Sequence, residues 1–415
     1  MSYKIHLLFI LALYLSILIF FRFITPQIDE PIHLNQIQIL ADQKDIGNFF
    51  DGTVKVHPRI PMIPGYHYVM ATFGWLMKDA SLWMVRAFTA IFGFLSVCVF
   101  ALVLKKVHGE AQPIRIWQYA LFPIFLQFHF LVYTESLSWL LVLLGFYLEW
   151  QKRHALSAFL CILSILVRQN NIIWVVMFPI MTWIHEGDFN INLSWIVRQF
   201  RRYWLSFVTC IGFLVFVYFN GGVALGDRQF HPSGSFHSVN VFLMCFDYFV
   251  LFLPGIITRV PRWPNLFSTK PVITGIVVTL VAGIYIYSWM TFLPEHIHPW
   301  NREAYNVILH DGMLHWFVSS DFSRLVYLTI ILIAVIDVLA NPLQERAFEL
   351  IYPFSVLFVM PSWLAGARYY VIPLTFILLF RKKVKPSSIE MLTIVYYALG
   401  TAMLILLMYF NKRFL

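Results

Sequence analysis

Asp29 and Glu30 stand side by side in TPQIDEPIHLNQIQ, residues 25–38, directly after twenty mostly apolar residues, IHLLFILALYLSILIFFRFI. Acids beside a membrane span are costly unless used, and a carboxylate held at the membrane surface can serve as a general base. The same residues also spell a helix start, with Asp29 as N-cap and Pro31 in the first turn, where its missing N–H costs nothing. Glu30 and His33 are then neighbours at i,i+3 spacing. Small residues suited to signal cleavage do not follow the apolar run, so it reads as a retained helix.

Cations that could meet an anionic group recur further along. Arg168 lies in VRQNNIIW and Arg368 in GARYYVIPL; each reads either as a phosphate ligand, through its planar donor fork, or as an interfacial anchor. His57 and Arg59 open HPRIPMIPGYHYVMATFGWL, residues 57–76, where three prolines within seven residues forbid a regular helix until Pro64-Gly65. NGGVALGDRQFHPSGSFH, residues 220–237, is glycine-rich but lacks the spacing of a nucleotide-binding loop, and Asp227-Arg228 reads as a surface ion pair. The histidines of EHIHPW, His296 and His298, have no completing ligand set, which favours a wet loop over a zinc site.

The elements that must position these residues are membrane helices. Of the 415 residues, 60% are hydrophobic and only 12% charged, with a mean hydropathy of +0.73. A soluble globule carries about twice that charge. Continuous apolar runs recur from end to end, which excludes the short alternating strands of a β-barrel. Thirteen candidate spans are legible, near 5–24, 82–104, 114–131, 133–150, 155–168, 171–185, 203–219, 238–258, 272–293, 325–340, 347–361, 367–381 and 389–410. The fold class expected is an all-α polytopic bundle of about 12–14 transmembrane helices, a single domain over 1–415. The net charge of +9 resides in short basic loops between spans, the signature of membrane topology rather than of nucleic-acid binding. Three longer loops, near 25–80, 220–237 and 294–323, fall on the other face with nine of the fourteen histidines. Function is expected there. The four cysteines, Cys98, Cys161, Cys210 and Cys245, all lie in apolar segments and form no framework. The basic tail NKRFL resembles a dilysine-type retrieval signal, although thirteen spans place it opposite the cytosol. The sequon at Asn192 falls in a basic loop and reads as unused.

Taken in order, IDEPIHLNQIQ, HPRIPMIPGYH, LVYTES, VRQNNIIW, NGGVALGDRQFHPSGSFH, HPWNREAY and ARYYVIP resemble the successive blocks of the dolichyl-phosphate-glucose-dependent α-1,2-glucosyltransferases. The resemblance departs from the family pattern at His57, Pro61, Met62, Glu135, Gly366-Ala367 and the NREAY segment. It implies a GT-C-type bundle in the endoplasmic reticulum membrane whose lumenal loops build the site. Its substrates would be dolichyl-phosphate glucose and the dolichyl-diphosphate oligosaccharide. It implies inversion by single displacement, with Asp29 as base and Glu30 as the alternative. Arg368, Arg228 and Arg168 would meet the donor phosphate, and His33, His57, Asp227, His231 and His237 the acceptor side. No metal or other cofactor is implied, since no nucleotide diphosphate enters. Two other readings are weaker. A related transferase could use another polyprenyl-phosphate sugar; a transporter would place charges near mid-span and show repeated halves, and no repeat is apparent.

Overall fold

A computed structural model of the chain describes residues 2–27, 29–43, 57, 60–187, 192–225, 237–291, 316–317, 319–362 and 365–410. Among them the regular elements are helices, apart from one isolated bridge between Leu343 and Arg381. A helix satisfies its backbone polar groups within itself, which is what lipid demands of an open chain. The protein is a multi-pass α-helical membrane protein. Its described residues divide into two compact units, Met1–Ile116 with Leu126–Ser233, and Trp117–Phe125 with Gly234–Leu415.

In the first unit α1 (Tyr3–Phe21) is followed by two shorter helices, α2 (Glu30–Gln43) and α3 (Gly65–Met77). The long α4 (Leu82–His108) and the start of the short α5 (Pro113–Ala120), whose last four residues belong to the second unit, come next, then α6 (Glu135–Trp150), α7 (His154–Val167) and α8 (Ile172–Glu186). α9 (Leu193–Arg202) and α10 (Trp204–Asn220) complete it. The second unit holds α11 (Ser238–Arg259), α12 (Trp263–Thr269), α13 (Pro271–Thr291), α14 (Asp321–Ala340), α15 (Ile351–Val359), α16 (Val371–Phe380) and α17 (Ser387–Tyr409).

Six helical stretches among the described residues are long and apolar enough to cross a bilayer, seven if α9 and α10, bent by 74°, count as one span. Hydropathy alone suggested twelve to fourteen. The difference lies in short helices. α6, α7 and α8 have 16, 14 and 15 residues, so each rises roughly 21–24 Å against a hydrocarbon layer of about 30 Å. Polar clusters cut these runs: Arg168 is extended, and Gln169–Asn171 make a 3₁₀ turn before α8 restarts.

These breaks are held by hydrogen bonds that the apolar pattern does not reveal. Asn171 Nδ2 donates to Ser138 Oγ at 2.8 Å and to the Ser164 carbonyl at 2.9 Å, joining α6, α7 and α8. Gln169 Nε2 donates to the Pro61 carbonyl at 3.1 Å, tying the proline-rich segment to the same place. Gly65, the first residue of α3, lies so close to α7 that a Cβ there would stand 2.5 Å from the Leu166 carbonyl oxygen. Below these polar turns, Ile37, Leu40, Tyr66, Met70, Val85, Val132, Leu137 and Val167 form one apolar cluster.

The second unit is pinned by two buried ion pairs. Arg259 reaches Asp337 through Nε at 2.8 Å and Nη2 at 2.6 Å, and Tyr248 Oη donates to the same carboxylate at 2.7 Å. Arg381 pairs with Glu390 at 3.0 and 2.6 Å, and Gln118 bridges both partners.

Candidate active site

The Asp29–Glu30 pair occupies the start of α2, as the sequence pattern suggested, and the two acids have different fates. The Asp29 carbonyl accepts from the N–H of His33 at 3.1 Å, the first intrahelical bond, which makes Asp29 the N-cap residue. It is partly exposed. Its backbone N–H donates to Tyr133 Oη at 3.2 Å, so the loop before α6 fixes where it stands.

Glu30 is fully buried. Its Oε1 accepts from Arg86 Nε at 3.0 Å and from the Val132 N–H at 2.8 Å. Its Oε2 accepts from Arg86 Nη2 at 2.6 Å and from the Gln27 N–H at 2.8 Å. A carboxylate with four donors and no access is poorly placed to take a proton from a substrate.

Arg86, on α4, is the other half of this arrangement. Its Nη1 donates to the carbonyls of Phe21 at 2.7 Å and Ile24 at 2.9 Å, and Nη2 reaches the Thr25 carbonyl at 3.4 Å. All five guanidinium N–H groups are thereby engaged, and the carbonyls left over where α1 ends are capped. Sequence reasoning passed over Arg86 because it counted as one polar residue in a long apolar run. The signal was present: an arginine inside a span needs a named partner.

A second buried pair lies at the same end of the unit. Arg168 Nη1 meets Glu135 Oε1 at 2.5 Å, and Thr134 Oγ1 donates to Glu135 Oε2 at 3.4 Å. Tyr66 is within electrostatic reach of both acids. Burial raises its phenol pKa above the ordinary tyrosine value, and both Glu30 and Glu135 add to the rise. Arg168, a phosphate candidate from sequence, therefore has its charge matched by Glu135.

His33 and His67 complete the cluster. Their rings stack at 5.1 Å, and His33 Nδ1 lies 2.8 Å from His67 Nε2. Burial, with His33 alongside, holds His67 well below the ordinary histidine pKa, so it is neutral at physiological pH. Tyr66 meets His67 edge-on at 5.6 Å, and Tyr133 packs at 5.6 Å on His33. The N–H of His57 donates to Gln36 Oε1 at 2.8 Å. The structure thus gathers Asp29, Glu30, His33, His57 and Arg168 of the expected residues, and adds Arg86, Glu135, Tyr66, His67 and Tyr133. At the other end of α6, Glu149 meets His154.

Arg368 and His237 belong to the second unit. Arg368 sits in the 3₁₀ turn Ala367–Tyr370, its guanidinium 5.1 Å over the Tyr369 ring with Nη2 donating to Tyr369 Oη at 3.1 Å. Tyr370 Oη donates to Asn240 Oδ1 at 2.5 Å, and the N–H of His237 donates to the Met360 carbonyl at 3.0 Å. The turn carrying Arg368 is thus fastened to the first turn of α11. Burial lowers the pKa of His237 from the ordinary value. Asp227, Arg228, His231, His296 and His298 lie outside the described residues. Among the described residues, no three His, Cys, Asp or Glu side chains converge as a metal site requires.

The DIE2/ALG10 family model matches residues 23–192 and 184–379, a range that contains both ion pairs and Arg368. The chain belongs to the DIE2/ALG10 family. Among similar proteins are three named Dol-P-Glc:Glc(2)Man(9)GlcNAc(2)-PP-Dol alpha-1,2-glucosyltransferase. One, from Candida albicans, is 26% identical over 275 residues, 61% of this chain and 58% of that protein. Another, from Yarrowia lipolytica, is 26% identical over 246 residues, 52% of this chain and 46% of that protein. A third, from Homo sapiens, is 24% identical over 417 residues, 84% of this chain and 82% of that protein. The chain thus spans about half the length of the two fungal relatives. No solved structure matches significantly. Within the DIE2/ALG10 match, the acid pair and the proline-rich segment lie on the first unit and the arginine-tyrosine turn on the second.

Proposed function

We propose that the protein transfers glucose from dolichyl-phosphate glucose to the lipid-linked oligosaccharide, forming its terminal α-1,2 bond at the endoplasmic reticulum membrane. The observation that carries this reading, within the DIE2/ALG10 family, is the division of labour at the start of α2. Glu30 is consumed by Arg86, whereas Asp29 is partly exposed on a backbone fixed by Tyr133.

A β-linked donor giving an α-linked product calls for one displacement at the anomeric carbon. The acceptor hydroxyl attacks, its proton passes to Asp29, and the bond to the phosphate oxygen breaks. The leaving phosphate gains charge, and cations beside it lower the barrier. Arg368 and Arg228 are the proposed phosphate ligands. Arg168 is proposed for the same role with less charge to offer, because Glu135 already faces it. The acceptor glycan would meet His33, His57, Asp227, His231 and His237. No cofactor is needed in this scheme, since the lipid-phosphate sugar is itself the activated substrate.

Cells lacking the protein are expected to accumulate lipid-linked oligosaccharide one glucose short, and the wild-type chain to restore the full product. Their membranes should regain transfer from labelled dolichyl-phosphate glucose but not from dolichyl-phosphate mannose. An unchanged oligosaccharide profile would remove this reading; transfer from the mannosyl donor alone would point to another GT-C activity.

Arg368→Ala is expected to slow turnover with the lipid-phosphate donor at unchanged protein abundance. Loss of a preorganised cation from a developing phosphate charge costs on the order of 2–4 kcal/mol, or roughly 10²–10³-fold in rate. Unaltered kinetics would return Arg368 to the part of an aromatic-belt anchor on Tyr369.

A further inference from the structure

At the end of the first unit opposite Asp29, α9 has three distinct faces. Its inner face carries Trp195, Gln199 and Arg202. Trp195 packs on Trp183 of α8 at 5.3 Å, and Arg202 is clamped by Glu186 through Nη1 at 2.5 Å and Nη2 at 2.7 Å. Arg202 Nε also lies 2.7 Å from His154 Nε2, so this arginine is spent on holding the helix in place.

A second face carries Leu193, Ile196, Val197 and Phe200, at i, i+3, i+4 and i+7, and all four are exposed. Leu193 is 77% exposed and Phe200 58%, which no water-facing helix would favour. This face does not stop at the bend. Phe200 stacks on Phe207 at 5.3 Å and 21°, and α10 continues with exposed Trp204, Val208, Ile211, Leu214 and Val215. α10 is 17 residues long, mostly apolar, with no buried side chain, the character of a lipid-facing segment. The third face, between the other two, carries Ser194, Arg198 and Arg201, all exposed. At the start of α9, Asn192 Oδ1 accepts from the Trp195 N–H at 2.8 Å, which fixes the helix origin.

We infer that α9 lies flat on the bilayer, its Leu193–Phe200 face in the lipid, and that Arg198 and Arg201 bind anionic phospholipid headgroups. The occupant is a lipid surface because the apolar face runs without interruption into that of α10. The occupant is anionic because the arginines flanking that face point to the depth of the headgroups, and each basic residue there gains about five-fold in affinity for an acidic leaflet. The 74° bend between α9 and α10 turns the chain from the membrane plane towards its normal.

The test uses the full-length protein in vesicles of mixed phosphatidylserine and phosphatidylcholine. Phe200→p-benzoylphenylalanine reports, on illumination, which molecules lie against α9. Lipid adducts enriched in phosphatidylserine over the bulk mixture are expected. In the R198Q/R201Q background lipid adducts should persist while the enrichment falls by about five-fold or more. Adducts to protein alone would overturn the inference in favour of a protein-docking face. Enrichment unchanged in R198Q/R201Q, or abolished by soluble glycerol phosphate, would overturn the headgroup assignment.

Discussion

Asp29→Asn is expected to stop glucose transfer while leaving the protein at normal abundance. A sugar hydroxyl is a poor nucleophile, and removal of its proton during attack contributes about 10²–10⁴-fold to rate. Asparagine is isosteric and among the best N-cap residues, so α2 loses little. Backbone contacts help to fix this position: the Asp29 carbonyl accepts from Ile32 and His33, and its N–H donates to Tyr133. They survive the change. The readout is the lipid-linked acceptor one glucose short, with protein level measured alongside. Transfer at the wild-type rate would make Asp29 a helix cap and nothing more.

Arg86→Ala should have the largest effect on stability of any single change discussed. It leaves Glu30, at 0% exposure, as a buried carboxylate with no cation, and removing one partner of a buried pair costs about 3–5 kcal/mol. The carbonyls of Phe21 and Ile24 lose their donor in the same step. Marked loss of folded protein is expected in detergent-solubilised membranes. The double variant Arg86→Met with Glu30→Leu removes both charges and should recover part of that loss, since apolar replacement of a whole buried pair is often close to neutral. Wild-type abundance of Arg86→Ala would show that the pair contributes nothing to folding. Equal loss in the single and double variants would show that the guanidinium acts by capping α1 rather than by neutralising Glu30.

The start of α2 was legible in the sequence because its signals are local: an N-cap acid and a proline in the first turn, within three residues. The burial of Glu30 was not, because its partner lies 56 positions away and the two residues share no spacing rule. Arg168 was noticed for the right reason, a cation between two apolar runs, but Glu135 had been read only as a departure from a pattern. The all-helical membrane class followed from composition alone. What composition could not show is how the axis bends, as where α9 and α10 meet at 74° on either side of Tyr203. α9 was hidden for the same reason. RQFRR reads as a basic loop, and only its exposed Leu193–Phe200 face reveals a surface helix.

Arg86 also imposes an order on biosynthesis. α1 and the Asp29–Glu30 segment leave the ribosome well before α4 does, and until then Glu30 has no guanidinium to neutralise it. α1 can therefore enter the bilayer while the carbonyls of Phe21 and Ile24 still lack their donor. Arrival of Arg86 closes the ion pair and caps α1 in one step. The start of α2 is therefore complete only once Arg86, 56 positions further on, has been made.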